Sequence, residues 1–435
     1  MLAEADAEIV RLNRTISGLA HLLDTELMQS ILIDHGLLNP TDRLAVDYLR
    51  FKPGENCIAR LVCEYGDRTV FGYAKAHGQS AAQKLKKSAE RAHLDSKLGI
   101  GRLQIPELGM EINFLPNDNA LASLGQMFSA VDRDAILQRI FKKGPNWSGA
   151  SCEVLSYKPE RRLTAALSHP ENGRVVAKFT TRQRYERSRH VHKRLVKVDG
   201  VGIPALAGWS RSCNAMAMQW ISGESLTSAV GRGETTGCSA AGRALARFHL
   251  SANKGFRTSE QRRNLGDLTR LADDLSMISP GQTERARTLA LAFEQWWLQQ
   301  EARSTPVHGD FNFEQVVVSQ KGAAMIDFDE VRMGHPMEDL GSFIARMEFH
   351  ALDGSISPTA AAELVSAFME GYQSETGMRA NGGLQRFIAV ALFRLLHHSF
   401  RVRKENWPEV ISALLERCDL IWREARASQE EVTGC

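Results

Sequence analysis

Cysteine is sparse and irregularly placed. The seven residues, at 57, 63, 152, 213, 238, 418 and 435, are odd in number and show no metal-ligand spacing. They read as reduced thiols of a cytoplasmic protein, not as a zinc site or a disulfide framework. Long apolar runs are missing too, since none approaches the roughly 18–20 residues that span a bilayer. The opening stretch MLAEADAEIVRLNRT is acidic and amphipathic, unlike a signal peptide. Concentrated positive charge is also absent. Net charge is +3 at pH 7, and the densest basic cluster, Lys84, Lys86 and Lys87, is explained by a solvated helix face without a nucleic-acid partner. No G-x-G-x-x-G loop occurs. What remains is the profile of a soluble globular chain. Its 435 residues allow two or three domains, and a 43% hydrophobic content is enough for a sizeable core.

Against this background one stretch carries dense chemistry, Val307 to Asp329, VHGDFNFEQVVVSQKGAAMIDFD. Val316–Val318 and Ala323–Phe328 are apolar runs separated by Ser319, Gln320, Lys321 and Gly322, so the spacing predicts a hairpin. A loop acid, Asp310, precedes the first strand, and Asp327 is expected to end the second. Such a hairpin brings both carboxylates to one edge. Phosphoryl transfer from a nucleoside triphosphate needs one carboxylate for the acceptor hydroxyl, another for magnesium, and an amide oxygen to complete the metal shell. Asp310, Asp327 and Gln315 supply those types.

The segment resembles the aminoglycoside phosphotransferase and choline kinase family, with its HGDxxxxN signature, a strand ending in I-D-F/W-[DE], and GxPxxDL, here Gly334, Pro336, Asp339 and Leu340. The resemblance implies Asp310 as catalytic base, His308 as a brace of the same loop, and Asp327 as principal magnesium ligand. Gln315 stands where the family usually has Asn, which puts the metal contact on a stem one methylene longer. Asp339 is expected to cap the helix starting near Leu340. Upstream, Arg174-Val-Val-Ala-Lys-Phe179 resembles the strand whose lysine neutralises ATP phosphates, here Lys178, and Glu186 is its expected partner on the next helix. Met216-Ala-Met-Gln-Trp-Ile221 resembles the hinge whose backbone receives adenine, placing Gln219 and Ile221 at the nucleotide. In place of the missing glycine loop, Lys158-Pro-Glu-Arg-Arg162 offers cationic side chains, Arg162 among them. His249, in a stretch similar to the family's L-A-x-[LF]-H, is expected to be structural.

An internal repeat organises the rest. Leu49-Arg-Phe-Lys-Pro53, Ala59-Arg-Leu61, Ala74-Lys75 and Ile105-Pro106 recur in order as Leu155-Ser-Tyr-Lys-Pro159, Ala165-Ala-Leu167, Ala177-Lys178 and Ile203-Pro204. The expected fold is α+β and bilobal, protein-kinase-like, with the small antiparallel-sheet lobe duplicated and a large, mainly helical C-terminal lobe. The division expected is an N-terminal helical segment (1–39), a degenerate first small lobe (40–125), a connector (126–150), the nucleotide-binding small lobe (151–222), and a helical catalytic and acceptor lobe (223–435). On this reading Lys178 matters to nucleotide binding and Lys75 little.

Helical periodicity predicts helices over 359–375, 384–403 and 408–427. A stripe of Phe387, Phe393, His397, His398, Phe400 and Trp407 fits either core or an acceptor pocket. Residues 376–404 carry Arg379, Arg386, Arg394, Arg401, Arg403 and Lys404 and no acid, which disfavours a polycationic acceptor and favours a neutral or anionic one. The expected function is transfer of a phosphoryl group from ATP, with Mg2+, to a hydroxyl of a small molecule. A sugar, a cyclitol or an aminoglycoside-like compound would serve, with no nucleic-acid or membrane partner. The alternative is a weak or inactive nucleotide-binding protein acting through association.

Overall fold

Residues 43–77 build three strands. Burial alternates at the start of the first, as a strand turning successive side chains to opposite faces requires. The second and third carry runs of consecutive buried residues, Cys57–Ala59 and Gly72–Ala74, and so are covered on both faces. The computed structural model describes residues 2–91, 93–256, 261–300, 305–378 and 383–433. Strands β1 (Arg43–Lys52), β2 (Asn56–Tyr65) and β3 (Arg68–His77) form an antiparallel meander. Helix α4 (Ala81–Ala89) then leads to β4 (Arg102–Ile105) and β5 (Met110–Phe114), and the sheet order is β1-β2-β3-β5-β4. The second sheet repeats this plan with β6 (Ser151–Lys158), β7 (Arg162–His169), β8 (Gly173–Thr180), a helix, β9 (Leu206–Ser210) and β10 (Ala215–Gln219), in the order β6-β7-β8-β10-β9. Lys75 pairs with Ile58 and Glu111 in the first sheet, as Lys178 pairs with Thr164 and Met216 in the second.

Ahead of the first sheet, α1 (Glu4–Leu12), α2 (Leu19–Leu23) and α3 (Thr25–Asp34) pack Ile9, Leu19, Leu22 and Met28 into the main core. Asp24 caps α3, accepting from the Glu26 and Leu27 amides at 3.0 and 3.2 Å. Between the sheets lie α5 (Leu124–Phe128) and α6 (Arg133–Ile140). Residues 126–150 do more than connect. Ile136, Leu137, Ile140, Phe141 and Trp147 join Ile58 and Tyr73 of the first sheet and Leu163, Ala177 and Phe179 of the second in one buried cluster.

The remaining chain is mainly helical. After α7 (Arg182–His192), within the second sheet's span, come β11 (Glu224–Ser225), α8 (Leu226–Gly231), α9 (Thr235–Leu250), α10 (Gln261–Asp274) and α11 (Thr283–Leu298). Strand β12 (Thr305–Val307), the hairpin β13 (Val316–Ser319) and β14 (Gly322–Met325), and β15 (Arg332–Gly334) precede α12 (Met337–Leu352), α13 (Pro358–Thr376), α14 (Gly383–Phe393), α15 (His398–Arg401) and α16 (Trp407–Thr433). Helices α9 and α13 approach so closely that a Cβ on Gly242 or Gly371 would lie 2.1 Å from the carbonyl of Phe368 or Ser239. The expected helix over 384–403 breaks. From Arg394 to His397 the chain tightens into successive three-residue turns, with Leu395, Leu396 and His398 donating to Leu392, Phe393 and Leu395. The expected combination of a sheet-rich N-terminal part and a helical C-terminal lobe is thus observed. Among the described residues no helix is long and apolar enough to cross a membrane, and the six described cysteines are unpaired.

Candidate active site

Strand β12 pairs antiparallel with β15 and delivers the chain to His308. Gly309 has φ +84°, and a Cβ there would lie 2.1 Å from Arg332 Nη1 and 2.4 Å from the Glu330 carbonyl, so this turn requires glycine. Asp339 on α12 holds the loop: its carboxylate accepts from the His308 amide at 2.6 Å and the Gly309 amide at 2.8 Å. It does not cap α12, which begins two residues earlier at Met337. His249 Nε2 donates to Asp339 at 3.0 Å while its Nδ1 accepts from the Tyr372 hydroxyl at 2.9 Å, so His249 is structural as expected. Burial of Asp339 opposes its charge, but these donors hold its pKa below the usual carboxylate range. The His308 ring is fully buried and Nε2 donates to the Ile326 carbonyl at 2.9 Å. It ties the loop to the segment bearing Asp327 and does not reach the cleft. Asp310 is open to the cleft, with protein crowding its other sides. That burial, aided by the charge of Asp327 and opposed by His308, Arg346 and Lys158, raises its pKa.

The hairpin forms with Val316 opposite Met325 and Ser319 opposite Gly322. Its second strand stops at Met325, two residues before Asp327. Asp327 lies in the left-handed region, φ +64° and ψ +50°, opening a single turn over Phe328–Glu330. Aspartate is among the few non-glycine residues that adopt this conformation readily. The geometry presents its carboxylate to the second sheet: Lys178 Nζ lies 2.5 Å from Oδ1, and Arg162 Nη1 lies 3.0 Å from Oδ2. Burial works against the Asp327 charge, yet Lys178 and Arg162 draw its pKa far below normal.

Lys178 therefore pairs with Asp327 and, at 3.5 Å, with Asp329, and not with Glu186. Glu186 instead accepts from Arg182 at 3.1 Å and Arg211 at 2.9 Å. The reason is helical geometry. Ser188, two residues along and so about 200° around α7, faces the site and donates to Asp329 Oδ1 at 2.6 Å.

Gln315 ends a single turn over Phe313–Gln315, where its amide donates to the Asn312 carbonyl and its carbonyl accepts from Ile326 at 2.9 Å. Its half-buried side chain makes no hydrogen bond among the described residues, so the amide oxygen is uncommitted. Asn312 is buried and spent locally, accepting from the Glu314 amide at 2.8 Å and donating to the Asp310 carbonyl at 3.2 Å. At the expected hinge the Gln219 amide donates to the Ala205 carbonyl at 2.8 Å. The backbone of Ile221, beyond the strand end, makes no hydrogen bond among the described residues.

Over residues 160–381, just over half of its length, the chain matches the phosphotransferase enzyme family. This chain belongs to that family. The match bears out the resemblance carried by HGD and IDFD, and with it the reading as a small-molecule kinase. Similar solved structures include a thermostable mutant of aminoglycoside phosphotransferase APH(4)-Ia in apo form, at 14% identity and TM-score 0.47, with 63% of this chain and 95% of that chain covered. A choline/ethanolamine kinase family protein from Mesorhizobium loti is similar at 15% identity and TM-score 0.46, with 67% and 95% covered. Choline kinase from Cryptosporidium parvum Iowa II is similar at 11% identity and TM-score 0.46, with 68% and 95% covered. No curated protein matches the chain.

One feature of this phosphotransferase escaped sequence reasoning, and another was legible only as one of two alternatives. The first concerns the turn that stands in place of the glycine loop. Glu160 there has φ +55°, and its counterpart in the first sheet's Lys-Pro turn, Gly54, has φ +69°. The glutamate is held in that conformation by the first sheet, with Lys75 Nζ 2.8 and 2.9 Å from its two oxygens and Arg50 Nη2 at 2.7 Å. Asp118 also accepts from the Glu160 amide at 2.8 Å and the Tyr157 hydroxyl at 2.7 Å. A charged residue aligned with a turn glycine was the available signal. The second feature is a cavity of about 260 Å3 beside Asp310, lined on one side by Arg346, Arg394, His397, His398 and Arg401. From the aromatic stripe, Phe387, His397 and His398 line it, whereas Phe393, Phe400 and Trp407 are core. Of the basic residues, Arg403 pairs with Asp6 at 2.6 Å and Lys404 with Asp353 at 3.1 Å. Arg386 packs over Trp422, and Arg379 lies outside the described residues. Arg346 reaches the cavity from α12, beyond the stretch that drew attention.

Proposed function

We propose that this phosphotransferase moves the γ-phosphoryl group of ATP to a hydroxyl of a small molecule, with Asp310 as general base. The observation that carries the reading is the position of Asp310, open to the cleft between the Lys178–Asp327–Arg162 cluster and the cavity. The acceptor oxygen attacks the γ-phosphorus, its proton passes to the Asp310 carboxylate, and the bond to the bridging oxygen breaks to release ADP. Lys178 and Arg162 would neutralise charge on the transferring phosphates, and the backbone of Ile221, unpaired among the described residues, would receive the adenine ring. Asp327 and the uncommitted Gln315 amide would hold Mg2+. Among the described residues no three His, Cys, Asp or Glu side chains form a metal cage, which suits an ion held by one or two carboxylates together with nucleotide phosphates. When bound, such an ion screens negative charge between phosphate oxygens.

The shared strand order of the two sheets supports residues 40–125 as a degenerate small lobe and 151–222 as the nucleotide-binding one. Residues 223–435 then carry the base and the acceptor cavity. Thermal shift with ATP and magnesium, run beside ADP release over pooled sugars, cyclitols and aminoglycosides, tests the assignment. A nucleotide-dependent shift with acceptor-dependent ADP release is expected. A shift without turnover would favour a nucleotide-binding protein that acts through association, a reading that draws on Gln315 and the absent glycine loop.

A further inference from the structure

The cavity beside Asp310 is cationic in a way that its own carboxylates do not offset. Of its three acids, Glu338 is bound to Arg332, Asp339 is engaged by the loop amides and His249, and Asp310, which feels the charge of Arg346, faces the three remaining arginines Arg346, Arg394 and Arg401. Arg346, Arg394 and Arg401 form no ion pair among the described residues. Arg346 donates to His398 Nε2 at 3.1 Å, and Arg401 donates to the Tyr48 hydroxyl at 3.0 Å. The Arg394 side chain makes no hydrogen bond among the described residues; it lies against the face of Trp297, 5.5 Å from the ring centroid, and is open to the cavity. Its place is set by the break between α14 and α15, which turns Arg394, His397 and His398 inward together.

We infer that the acceptor is a small alcohol carrying an oxyanion, a phosphate or a carboxylate, which Arg394 grips with Arg346 and Arg401 while its hydroxyl faces Asp310. The inference rests on the reading of this cavity as the acceptor site. Three guanidinium groups line one cavity without an ion-pair partner among the described residues, and an anion is the ligand that complements them. The planar fork of arginine matches phosphate and carboxylate with two parallel bonds. Burial and the neighbouring Arg332 also press the Arg394 pKa down. Burial, with Arg346 and Arg401, lowers His398 to about 3, so that imidazole stays neutral and adds no charge of its own. Size points the same way. At about 260 Å3 the cavity is smaller than the ~300–1,000 Å3 clefts that enclose drug-sized ligands, so a multi-ring polycation fits neither the volume nor the charge.

The test is calorimetric titration of the full chain with inorganic phosphate, with ADP and magnesium saturating the nucleotide site. Acceptor assays with glucose, gluconate, glucose 6-phosphate and kanamycin run alongside. Phosphate is expected to bind the wild type, and about ten- to a hundredfold more weakly to Arg394→Gln, the loss of a charge-assisted pair. Gluconate and glucose 6-phosphate should compete with that phosphate, and whichever competes better tells carboxylate from phosphate. Glucose and kanamycin should not compete. Phosphate binding that is absent under saturating ADP, or unchanged in Arg394→Gln, would overturn the inference, as would turnover of kanamycin. Arg394-dependent phosphate binding with no ADP release from any acceptor would leave the anion site standing and remove the phosphotransfer reading instead.

Discussion

Asp310 combines access with crowding, and its pKa is raised as a result. A base works only when ionised, so activity should be present above that raised value and lost as pH falls through it. The acid limb of kcat/KM should therefore lie above about 3.9, the ordinary aspartate value. A limb at or below that value, measured with ATP saturating, would show that Asp310 is not the titrating base. Asp339 acts one step back. Asp339→Ala leaves one buried and one half-buried amide of the Asp310 loop without an acceptor, at about 1–3 kcal/mol for the buried one, so both melting temperature and kcat should fall while affinity for ATP holds. An unaltered melting temperature would mean that the loop finds other partners. Asp327→Ala should abolish the magnesium dependence of nucleotide binding, and titrations of ATP with and without magnesium would reveal an unchanged dependence if another group holds the ion.

At the level of elements, the two sheets share one plan but divide its uses. Lys178 keeps its site on the third strand and meets Asp327, whereas Lys75, at the equivalent position, reaches across to Glu160 in the turn that stands in place of the glycine loop. The initial expectation that Lys75 matters little therefore changes. Lys75→Met should loosen that turn and raise KM for ATP several-fold, while Lys178→Met should remove most nucleotide affinity; equal KM values for wild type and Lys75→Met would contradict the bracing role. The repeat itself was legible, because Lys-Pro turns and strand lysines recur in order. The partners were not. Which face of α7 meets Lys178 depends on how the helix docks, and Asp329 followed Asp327 as one more acid until the left-handed turn at Asp327 brought both to the lysine. The break after Phe393 was likewise hidden, since no proline or glycine marks it between Gly383 and Arg403; the chain there satisfies its amides by tighter turns.

For the whole molecule, the first sheet touches both the cavity beside Asp310 and the turn at Glu160. Tyr48 on β1 accepts from Arg401 of the cavity at 3.0 Å. Burial opposes ionisation of its hydroxyl, yet Arg401 and Arg161 bring its pKa down to about 8. Arg50 and Lys75 of the same sheet hold Glu160. Motifs near HGD and IDFD signalled the family because their residues are close in sequence, whereas the cavity draws on α12, α14 and α15 and takes shape only when those helices pack. The central claim is that Asp310 takes the proton of an acceptor whose oxygen receives the γ-phosphoryl group. Its most direct test is single-turnover transfer of labelled γ-phosphate to an acceptor that supports ADP release, by wild type and Asp310→Asn, with ATP affinity measured on the same preparations. The account predicts a rate lower by ~10²–10⁴ in the variant with ATP affinity unchanged; equal transfer rates, or a loss traced wholly to weaker ATP binding, would contradict it.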